Sequence, residues 1–262
     1  MNLKINGTSI FLKGRQMEHC NELKRLFPSQ KKLPVICAHR GGKENVPENT
    51  LAAFQQSANQ GIHCMENDIQ LTKDNEIIII HDDTVDRTTN GKGAIRDLTL
   101  KELQALDFGS WYDSKFKEEK VPTLKNFLSI CKGVPLIEIK KYENYSEKLE
   151  TILLSELKAC GRLYTSIIHS FDLDVLERLH RINSNLLLGY LIEEITEEIP
   201  EWVGGIHPNK SLLTVDTLAE WRDQSLWIAA WTYTKTSEFS NPELHPDILI
   251  TDIPIQAKQM LA

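Results

Sequence analysis

From residue 33 onwards, short apolar segments rich in Val and Ile alternate with longer segments in which apolar residues recur every three or four positions. The short segments are typical of β-strands and the longer ones of amphipathic helices. Runs such as Ile77–Ile80 and Leu136–Ile139 predict strands that are buried on both faces. We predict strands near residues 33–38, 63–71, 76–81, 134–140, 164–169, 186–192, 203–207, 226–232 and 247–251. We predict helices at residues 49–60, 122–131, 144–159, 172–183, 214–224 and 253–261.

This alternation implies right-handed βαβ crossovers and a parallel sheet. About eight such units follow residue 33, which is the number that a closed (β/α)8 TIM barrel of roughly 250 residues requires. We therefore predict an α/β protein with a TIM barrel over residues 33–262. An open doubly wound sheet is the competing architecture, but it usually carries a G-x-G-x-x-G turn, which this sequence lacks.

Two segments depart from the alternation. Residues 83–121 are long for a barrel loop and have their own turn signals, charges and aromatic residues, so we predict a small inserted subdomain after the second strand region. Residues 1–32 form an N-terminal extension with seven basic residues against two acidic ones. Apolar residues between Met17 and Phe27 recur at helical spacing there. We expect this helix to close the open end of the barrel; the alternative is a basic amphipathic segment that touches an anionic membrane.

Composition and charge narrow the function classes. The 262 residues carry a formal net charge of −7, which argues against a general nucleic-acid binder. The five cysteines are scattered and odd in number, so we expect free thiols in a reducing compartment rather than disulfides or structural zinc. No apolar run approaches the ~18 residues of a transmembrane helix, and the N-terminal apolar run is too short for a signal peptide. We therefore expect a cytoplasmic protein.

Polar and charged residues collect at the ends of the predicted strands. Active sites of parallel barrels are built at the carboxyl ends of the strands, so these residues are the candidates for chemistry. Residues two apart in a strand point to the same face, which places both members of each carboxylate or charge pair on the barrel interior. The candidates, in chain order, are His39, Arg40, Glu66, Asp68, His81, Glu138 and Lys140.

These residue types point to phosphate chemistry. Carboxylates that converge on one point repel one another unless a cation lies among them. Oxygen ligands suit one hard divalent cation, Mg²⁺ or Ca²⁺. Arg40 and Lys140 supply fixed positive charge for an anionic substrate, and two histidines are natural proton carriers near neutral pH. The residues therefore predict metal-assisted phosphoryl transfer or phosphodiester hydrolysis. The remaining histidines are expected to be packed residues: His63, His169, His180, His207 and His245.

Several motifs, in this order along the chain, resemble those of the glycerophosphodiester phosphodiesterase family. The resemblance extends over residues 35–255. Its main motifs are His39-Arg40-Gly41, Pro47-Glu48-Asn49-Thr50, Glu66-x-Asp68, His81-Asp82-Asp83, Arg87-Thr88-Thr89, Glu138-Ile139-Lys140, Ser170-Phe171-Asp172, Trp231-Thr232 and Ile250-Thr251-Asp252. Any one of these motifs alone would be weak, but their combination is specific to the family.

The resemblance implies a role for each matching residue. His39 and His81 correspond to the general acid and base. Glu66, Asp68 and Glu138 correspond to the ligands of the divalent cation. Arg40 and Lys140 correspond to the phosphate-binding residues, and Trp231 to the wall of the glycerol pocket. The chain has Thr234 where the family often has Asn after W-T-V, and it lacks the Gly-rich turn before the last strand, so the alcohol side of the pocket departs from the pattern.

Three functions follow from this combination. The leading expectation is hydrolysis of glycerophosphodiesters to glycerol 3-phosphate and an alcohol, with a small-molecule substrate. A lysophospholipase D would use the same chemistry on a lipid, and Trp111, Tyr112 and Phe116 in the insert would favour it. A binding protein on a barrel that has lost its activity is the third, but the complete set of carboxylates and histidines argues against it.

Overall fold

The computed structural model describes residues 25–28, 34–140, 148–195 and 199–261. The strands are β1 Val35–Ala38, β2 Cys64–Leu71, β3 Ile77–Ile79, β4 Val134–Ile139, β5 Ile167–Ser170, β6 Leu187–Ile192, β7 Gly205–Pro208, β8 Trp227–Tyr233 and β9 Ile248–Thr251. The α-helices of these residues are α1 Leu51–Asn59, α2 Leu100–Gln104, α3 Leu124–Ile130, α4 Lys148–Ala159, α5 Leu173–Ile182, α6 Val215–Asp223 and α7 Pro254–Leu261, and short 3-10 helices occur in several loops.

Eight of the strands form a closed parallel barrel. Neighbouring strands follow the order β1, β2, β4, β5, β6, β7, β8 and β9, and β9 pairs with β1 to close the ring. An α-helix connects β1 to β2, β2 to β4, β4 to β5, β5 to β6 and β7 to β8, as is usual for right-handed parallel crossovers. The predicted (β/α)8 TIM barrel is therefore confirmed.

Strand β3 is not a barrel strand. It pairs antiparallel with β2, with Ile79 opposite Ile69 and Ile77 opposite Leu71. The few residues between the two strands are too short for a parallel crossover, so the chain must turn back on itself. This corrects the expectation that His81 ends another parallel strand. The upper part of β2 extends beyond its pairing with β4, and β3 returns the chain to the barrel end where β2 carries Asp68.

The barrel interior is apolar toward the amino ends of the strands, here called the lower layers, and polar toward their carboxyl ends. Its lower layers form one hydrophobic cluster of inward-facing side chains from the strands, with Trp227 among them. Phe27 packs into this cluster from the N-terminal segment and is buried. Residues 1–24 and 29–33 lie outside the described residues, so the predicted N-terminal helix and its membrane alternative stay predictions. The polar residues near the carboxyl ends of the strands lie above the apolar layers.

The segment between β3 and α3 has an apolar cluster of its own. Val85, Ile95, Leu103 and Phe108 pack there with Ile80 at the end of β3. Helix α2 belongs to this segment and begins with a capping box, in which Thr99 and Glu102 satisfy each other's backbone N–H groups. A local core of this kind holds the segment against the carboxyl end of β2.

Two expectations from composition can be compared with the described part of the chain. Cys37, Cys64 and Cys131 are free and buried, and Cys160 is free and exposed. Cys20 lies outside the described residues. No helix among the described residues combines the length and apolar character needed to cross a membrane.

Candidate active site

A cavity of about 170 Å³ opens at the carboxyl end of the barrel. Most of the predicted site residues line it, together with side chains from β5, β6, β8 and β9. The lining residues include His39, Arg40, Glu66, His81, Glu138, Lys140, His169, Phe171 and Trp231. Asp68 is not among the lining residues, but it contacts two that are, Lys140 and Arg40.

Strand register brings the acidic residues together. Asp68 on β2 lies opposite Glu138 on β4, and Glu138 lies opposite His169 on β5. Glu66 is two residues before Asp68 and therefore faces the same side of the sheet, one step deeper. Glu66, Asp68 and Glu138 are all buried. Burial of several carboxylates at one point is costly unless cations lie beside them.

The turn after β1 shapes one side of this site. Arg40 has a left-handed backbone, with φ 52°, and Gly41 follows with φ 82°. The turn directs the backbone N–H of Arg40 to Glu66 Oε2, at 2.7 Å. A Cβ at Gly41 would lie 2.8 Å from the ring of Phe54 on α1, so only glycine fits this approach.

Asp68 is surrounded by hydrogen-bond donors and positive charge. Its Oδ1 lies 2.6 Å from Lys140 Nζ, and its Oδ2 lies 3.4 Å from Arg40 Nε. The Asn49 amide donates to Oδ2 at 2.7 Å. Burial alone would raise the pKa of Asp68, but Lys140 and Arg40 hold it well below its usual range. Lys140 and Arg40 therefore favour the charged form of Asp68, and Asp68 in turn holds both side chains in place.

Glu66 and Glu138 are less completely neutralised than Asp68. Burial, followed by the charges of Asp68 and Glu138, raises the pKa of Glu66 well above its usual range. Burial also raises the pKa of Glu138 to about 7, against the opposing effect of Lys140 at 2.6 Å. Glu66 Oε1 is buried and has no hydrogen-bond partner among the described residues. An unpartnered carboxylate oxygen beside other carboxylates fits a divalent cation.

A nitrogen lies close to the same carboxylates. Within the described chain, one oxygen each of Glu66 and Glu138 and one ring nitrogen of His169 lie within 4.8 Å of one another. His169 Nε2 is 4.0 Å from Glu66 Oε1. This distance suits either a cation between the two atoms or a proton on the nitrogen that faces the carboxylate.

Each predicted catalytic histidine contacts a carboxylate through Nδ1. His39 Nδ1 is 2.6 Å from Asp252 Oδ1, at the end of β9. His81 Nδ1 is 2.8 Å from Asp82 Oδ1. Burial lowers the pKa of both histidines, although their carboxylate partners act in the opposite direction. The carboxylates fix the ring orientation, and Nε2 is the nitrogen that would exchange protons at the cavity.

The comparison with protein families agrees with this geometry. The model of the Glycerophosphoryl diester phosphodiesterase family matches residues 39–254, which include all the site residues described above. The chain belongs to this family.

Individual members of the family match most of the chain. A glycerophosphodiester phosphodiesterase of Caldanaerobacter subterraneus subsp. tengcongensis is 38% identical over 162 residues, or 61% of this chain and 67% of that protein. A glycerophosphodiester phosphodiesterase of Bacillus subtilis is 29% identical over 228 residues, or 78% of each chain. An Oleispira antarctica phosphodiesterase, solved in complex with the product sn-glycerol-3-phosphate, superposes with a TM-score of 0.81 at 27% identity, over 87% of this chain and 97% of that chain.

Trp231 forms one wall of the cavity in this member of the glycerophosphoryl diester phosphodiesterase family. Its Nε1–H donates to the backbone oxygen of His207 at 2.8 Å. Its ring meets that of Phe171 edge to face, with centroids 5.5 Å apart. The peptide bond between Trp231 and Thr232 is cis. Because the indole N–H is already bonded, the indole offers the cavity an apolar surface.

A second group of charged residues joins the two histidine loops. Glu48 Oε1 accepts from Arg40 Nη1 and from Arg87 Nη2, both at 2.7 Å. Arg87 Nε also donates to Asp82 Oδ2 at 2.7 Å. Arg87 lowers the pKa of Asp82 to about 2, and Arg87 and Arg40 lower that of Glu48 to about 2 against the effect of burial. Sequence reasoning included Glu48 and Arg87 in the motifs but did not predict that they link the loops.

His169 and His207 were expected to be packed residues, and both are buried. Yet His169 lines the cavity and faces Glu66. The signal that could have revealed it is its position on β5, where it follows buried Ile168 and precedes the Ser170-Phe171-Asp172 motif. Ser170 donates to the backbone oxygen of Ile139, so its role is structural.

Proposed function

We propose that this protein hydrolyses glycerophosphodiesters to glycerol 3-phosphate and an alcohol. The observation that carries this proposal is the pair of carboxylate-bound histidines, His39 and His81, at one cavity with buried acids and two fixed cations. Two histidines can move protons on and off oxygen. Positively charged side chains can bind a phosphate, and carboxylates can bind the metal cation that accompanies it. Membership of the glycerophosphoryl diester phosphodiesterase family supports the same reaction.

Arg40 and Lys140 would bind the phosphate. Both side chains line the cavity, and Asp68 holds each of them in a fixed position. Burial would lower the pKa of Lys140, but the charges of Asp68 and Glu138 raise it overall, so the ammonium stays protonated. Fixed cations of this kind stabilise the negative charge that develops on the phosphoryl oxygens without reorganising during the reaction.

His39 and His81 would carry the protons. One histidine accepts a proton through Nε2 from the attacking oxygen, which belongs to water or to a substrate hydroxyl. Attack by a substrate hydroxyl would give a cyclic phosphate, which water must then open to release glycerol 3-phosphate. The new P–O bond forms as the bond to the alcohol oxygen breaks, and the other histidine donates a proton to that leaving oxygen. Asp252 and Asp82 stabilise each ring when it is positively charged and keep Nε2 directed at the cavity.

Glu66, Asp68 and Glu138 would hold one divalent cation, Mg²⁺ or Ca²⁺. The unpartnered oxygen of Glu66 and the raised pKa of Glu66 and Glu138 support a cation among these groups. Asp68 is held by Lys140 and Arg40 in this structure, so Glu66 and Glu138 have the stronger claim as ligands. A bound cation would polarise a phosphoryl oxygen and offset its charge.

The substrate side of the cavity favours a small alcohol. Trp231 provides an apolar wall for glycerol carbons, and the other side chains that line the cavity include both charged and apolar residues. The insert mixes its exposed aromatic residues, Trp111 and Tyr112, with many charges, whereas a groove for a lipid chain should be more continuously apolar. We therefore favour deacylated glycerophosphodiesters over lysophospholipids.

The test compares kcat/KM for glycerophosphocholine with kcat/KM for lysophosphatidylcholine below its micellar concentration. We expect a clear preference for glycerophosphocholine. A preference for the acylated substrate would instead identify a lysophospholipase D with the same histidines. No turnover of either substrate, with saturable binding of glycerophosphocholine, would indicate a binding protein on this barrel.

A further inference from the structure

Three aromatic side chains form a buried chain of hydrogen bonds that ends at the acidic site. Trp227 Nε1 donates to His207 Nε2 at 3.1 Å. His207 Nδ1 lies 3.0 Å from His169 Nδ1. His169 Nε2 then faces Glu66 Oε1 at 4.0 Å, and neither atom has a hydrogen-bond partner among the described residues.

The first donor determines where each proton lies. An indole N–H can only donate, so His207 Nε2 must accept and cannot carry a proton. The proton of His207 is therefore on Nδ1, and it is donated to His169 Nδ1. That nitrogen must accept in turn, which leaves the proton of His169 on Nε2, directed at Glu66. A second proton on either ring would place two donors face to face, so both histidines are neutral.

The barrel has room for these three hydrogen-bonded side chains because two of its strand positions are glycine. A Cβ at Gly189 would collide with the imidazole of His207, and a Cβ at Gly205 would collide with the indole of Trp227. Neither glycine has a left-handed backbone, so the need is for room and not for conformation. Burial lowers the pKa of His207 to about 3, in agreement with a neutral ring.

We propose that the hydrogen bonds from Trp227 through His207 to His169 fix the tautomer of His169, with its Nε2–H directed at Glu66. We call these three side chains the tautomer relay. In this relay His169 is a positioning residue rather than a cation ligand. A metal-binding imidazole must present a lone pair. Because the relay places a proton on His169 Nε2, this nitrogen has no lone pair for a metal, and the ligands that the site offers are oxygens. The proposal rests on the proposed function for the presence of a cation, but the position of the proton does not depend on it.

The relay has a consequence for metal preference. Imidazole ligands favour Zn²⁺, Cu²⁺ and Ni²⁺, whereas a set of oxygen ligands favours Mg²⁺, Ca²⁺ or Mn²⁺. If Trp227 could no longer donate, His207 could carry its proton on Nε2 and accept through Nδ1. His169 would then carry its proton on Nδ1 and present a lone pair between Glu66 and Glu138. The indole thus disfavours metals that prefer imidazole ligands, such as Zn²⁺, at a site that it does not touch.

The direct test is the ¹⁵N chemical shifts of the ring nitrogens of His169 in the metal-free wild-type protein. Long-range ¹H–¹⁵N correlation distinguishes a protonated ring nitrogen from an unprotonated one, and assignment through bonds from the backbone requires no variant. We expect His169 to be protonated at Nε2. Protonation at Nδ1 would overturn the relay, whatever the enzyme's activity proves to be.

Trp227→Phe tests the origin of the tautomer, with Trp221→Phe, another buried tryptophan on α6, as the matched control. In Trp227→Phe we expect the proton of His169 to move to Nδ1 and the affinity for Zn²⁺ relative to Mg²⁺ to rise by at least about tenfold. The control should change neither. An unchanged His169 tautomer in Trp227→Phe would show that the indole does not set it.

Pulsed electron paramagnetic resonance of the Mn²⁺-loaded wild type gives a second readout. We expect no directly coordinated nitrogen in the wild type and a coordinated nitrogen in Trp227→Phe. A coordinated nitrogen in the wild type that disappears in His169→Gln would make His169 a ligand and contradict the proposal. Loss of chelator-sensitive hydrolysis would bear on the proposed function and leave the tautomer result standing.

Discussion

The two proposed catalytic histidines obtain their carboxylate partners in different ways. His39 uses Asp252, which the barrel brings from the other end of the chain, whereas His81 uses its own neighbour, Asp82. Asp82 is in turn held by Arg87. The first histidine therefore depends on barrel closure between β1 and β9, and the second depends on the packing of the insert.

Substitution of either histidine should remove proton transfer. We expect His39→Ala and His81→Ala each to lower turnover of glycerophosphocholine by ~10²–10⁴-fold, because general acid–base catalysis contributes rates of that order. His63 is exposed, so the expectation that it is packed was wrong, and it does not line the cavity. His63→Ala is therefore the matched control and should retain wild-type turnover. Losses below tenfold for both His39→Ala and His81→Ala would make the pair structural.

The buried neutral state of His207 should make its contribution to stability depend on pH. Burial lowers its pKa to about 3 in the folded chain, whereas the unfolded chain binds the proton near pH 6.5. Below about pH 6.5 the unfolded state therefore holds more protons, and the contribution falls by at most about 1.4 kcal/mol per pH unit as pH decreases. It is fully present above the unfolded pKa.

Urea unfolding of the metal-free wild type and of His207→Gln, at about pH 7 and about pH 5, measures this dependence. The wild type should be the more stable of the two at the higher pH, and its advantage should shrink at the lower pH. Glu66 and Glu138 titrate in both proteins, so the comparison cancels much of their effect. An advantage that grows on acidification would contradict a neutral buried His207.

At the scale of elements, the turn between β1 and α1 joins backbone conformation to the site. Gly41→Ala should destabilise the fold by more than the roughly 1–2 kcal/mol of a left-handed alanine, because the new Cβ also meets Phe54. Its kcat/KM should fall as well, since Arg40 donates its N–H to Glu66 from this turn. Urea unfolding and initial rates measure both effects.

Gly161 provides the control for that substitution. It has a left-handed φ of 67°, and a Cβ there would meet no other atom within 4 Å. Gly161→Ala should therefore cost the conformational term alone, about 1–2 kcal/mol, with unchanged kcat/KM. Equal stability losses for Gly41→Ala and Gly161→Ala would mean that the contact with Phe54 contributes nothing.

The same elements explain how far the sequence could predict the site. The spacing of Glu66 and Asp68 on β2, and of Glu138 and Lys140 on β4, is sufficient to place these side chains on one interior face. The position of His81 was expected from a parallel strand, but an antiparallel return places it. The residue pattern of a strand predicts that the strand forms and is buried, but not whether it runs parallel or antiparallel to its neighbour. The short turn before β3 decides that direction.

His169 marks a second limit on prediction from sequence. The position of His169 on β5 indicates that it faces the barrel interior, but the strand pattern does not say whether it packs against apolar side chains there or faces a carboxylate. The register of β4 and β5 distinguishes the two cases, because it sets His169 beside Glu138. The contact with His207 comes from a strand 38 residues later in the chain. Such pairings depend on barrel closure, so a linear pattern contains no trace of them.

At the scale of the whole molecule, the barrel separates stability from chemistry. The lower interior is one apolar cluster, and the upper interior concentrates three buried carboxylates with their cations. The apolar layers supply the free energy that holds these charges out of water, a state that is costly on its own. The insert contributes Arg87, which donates to Asp82 beside His81 and to Glu48.

The most direct test of the account is hydrolysis of glycerophosphocholine before and after removal of divalent cations. Glycerol 3-phosphate release should stop after chelator treatment, because Glu66 and Glu138 then lack the counterion that their burial requires. Added Mg²⁺ or Ca²⁺ should restore it. Full release of glycerol 3-phosphate in excess chelator would contradict a cation at the centre of this site.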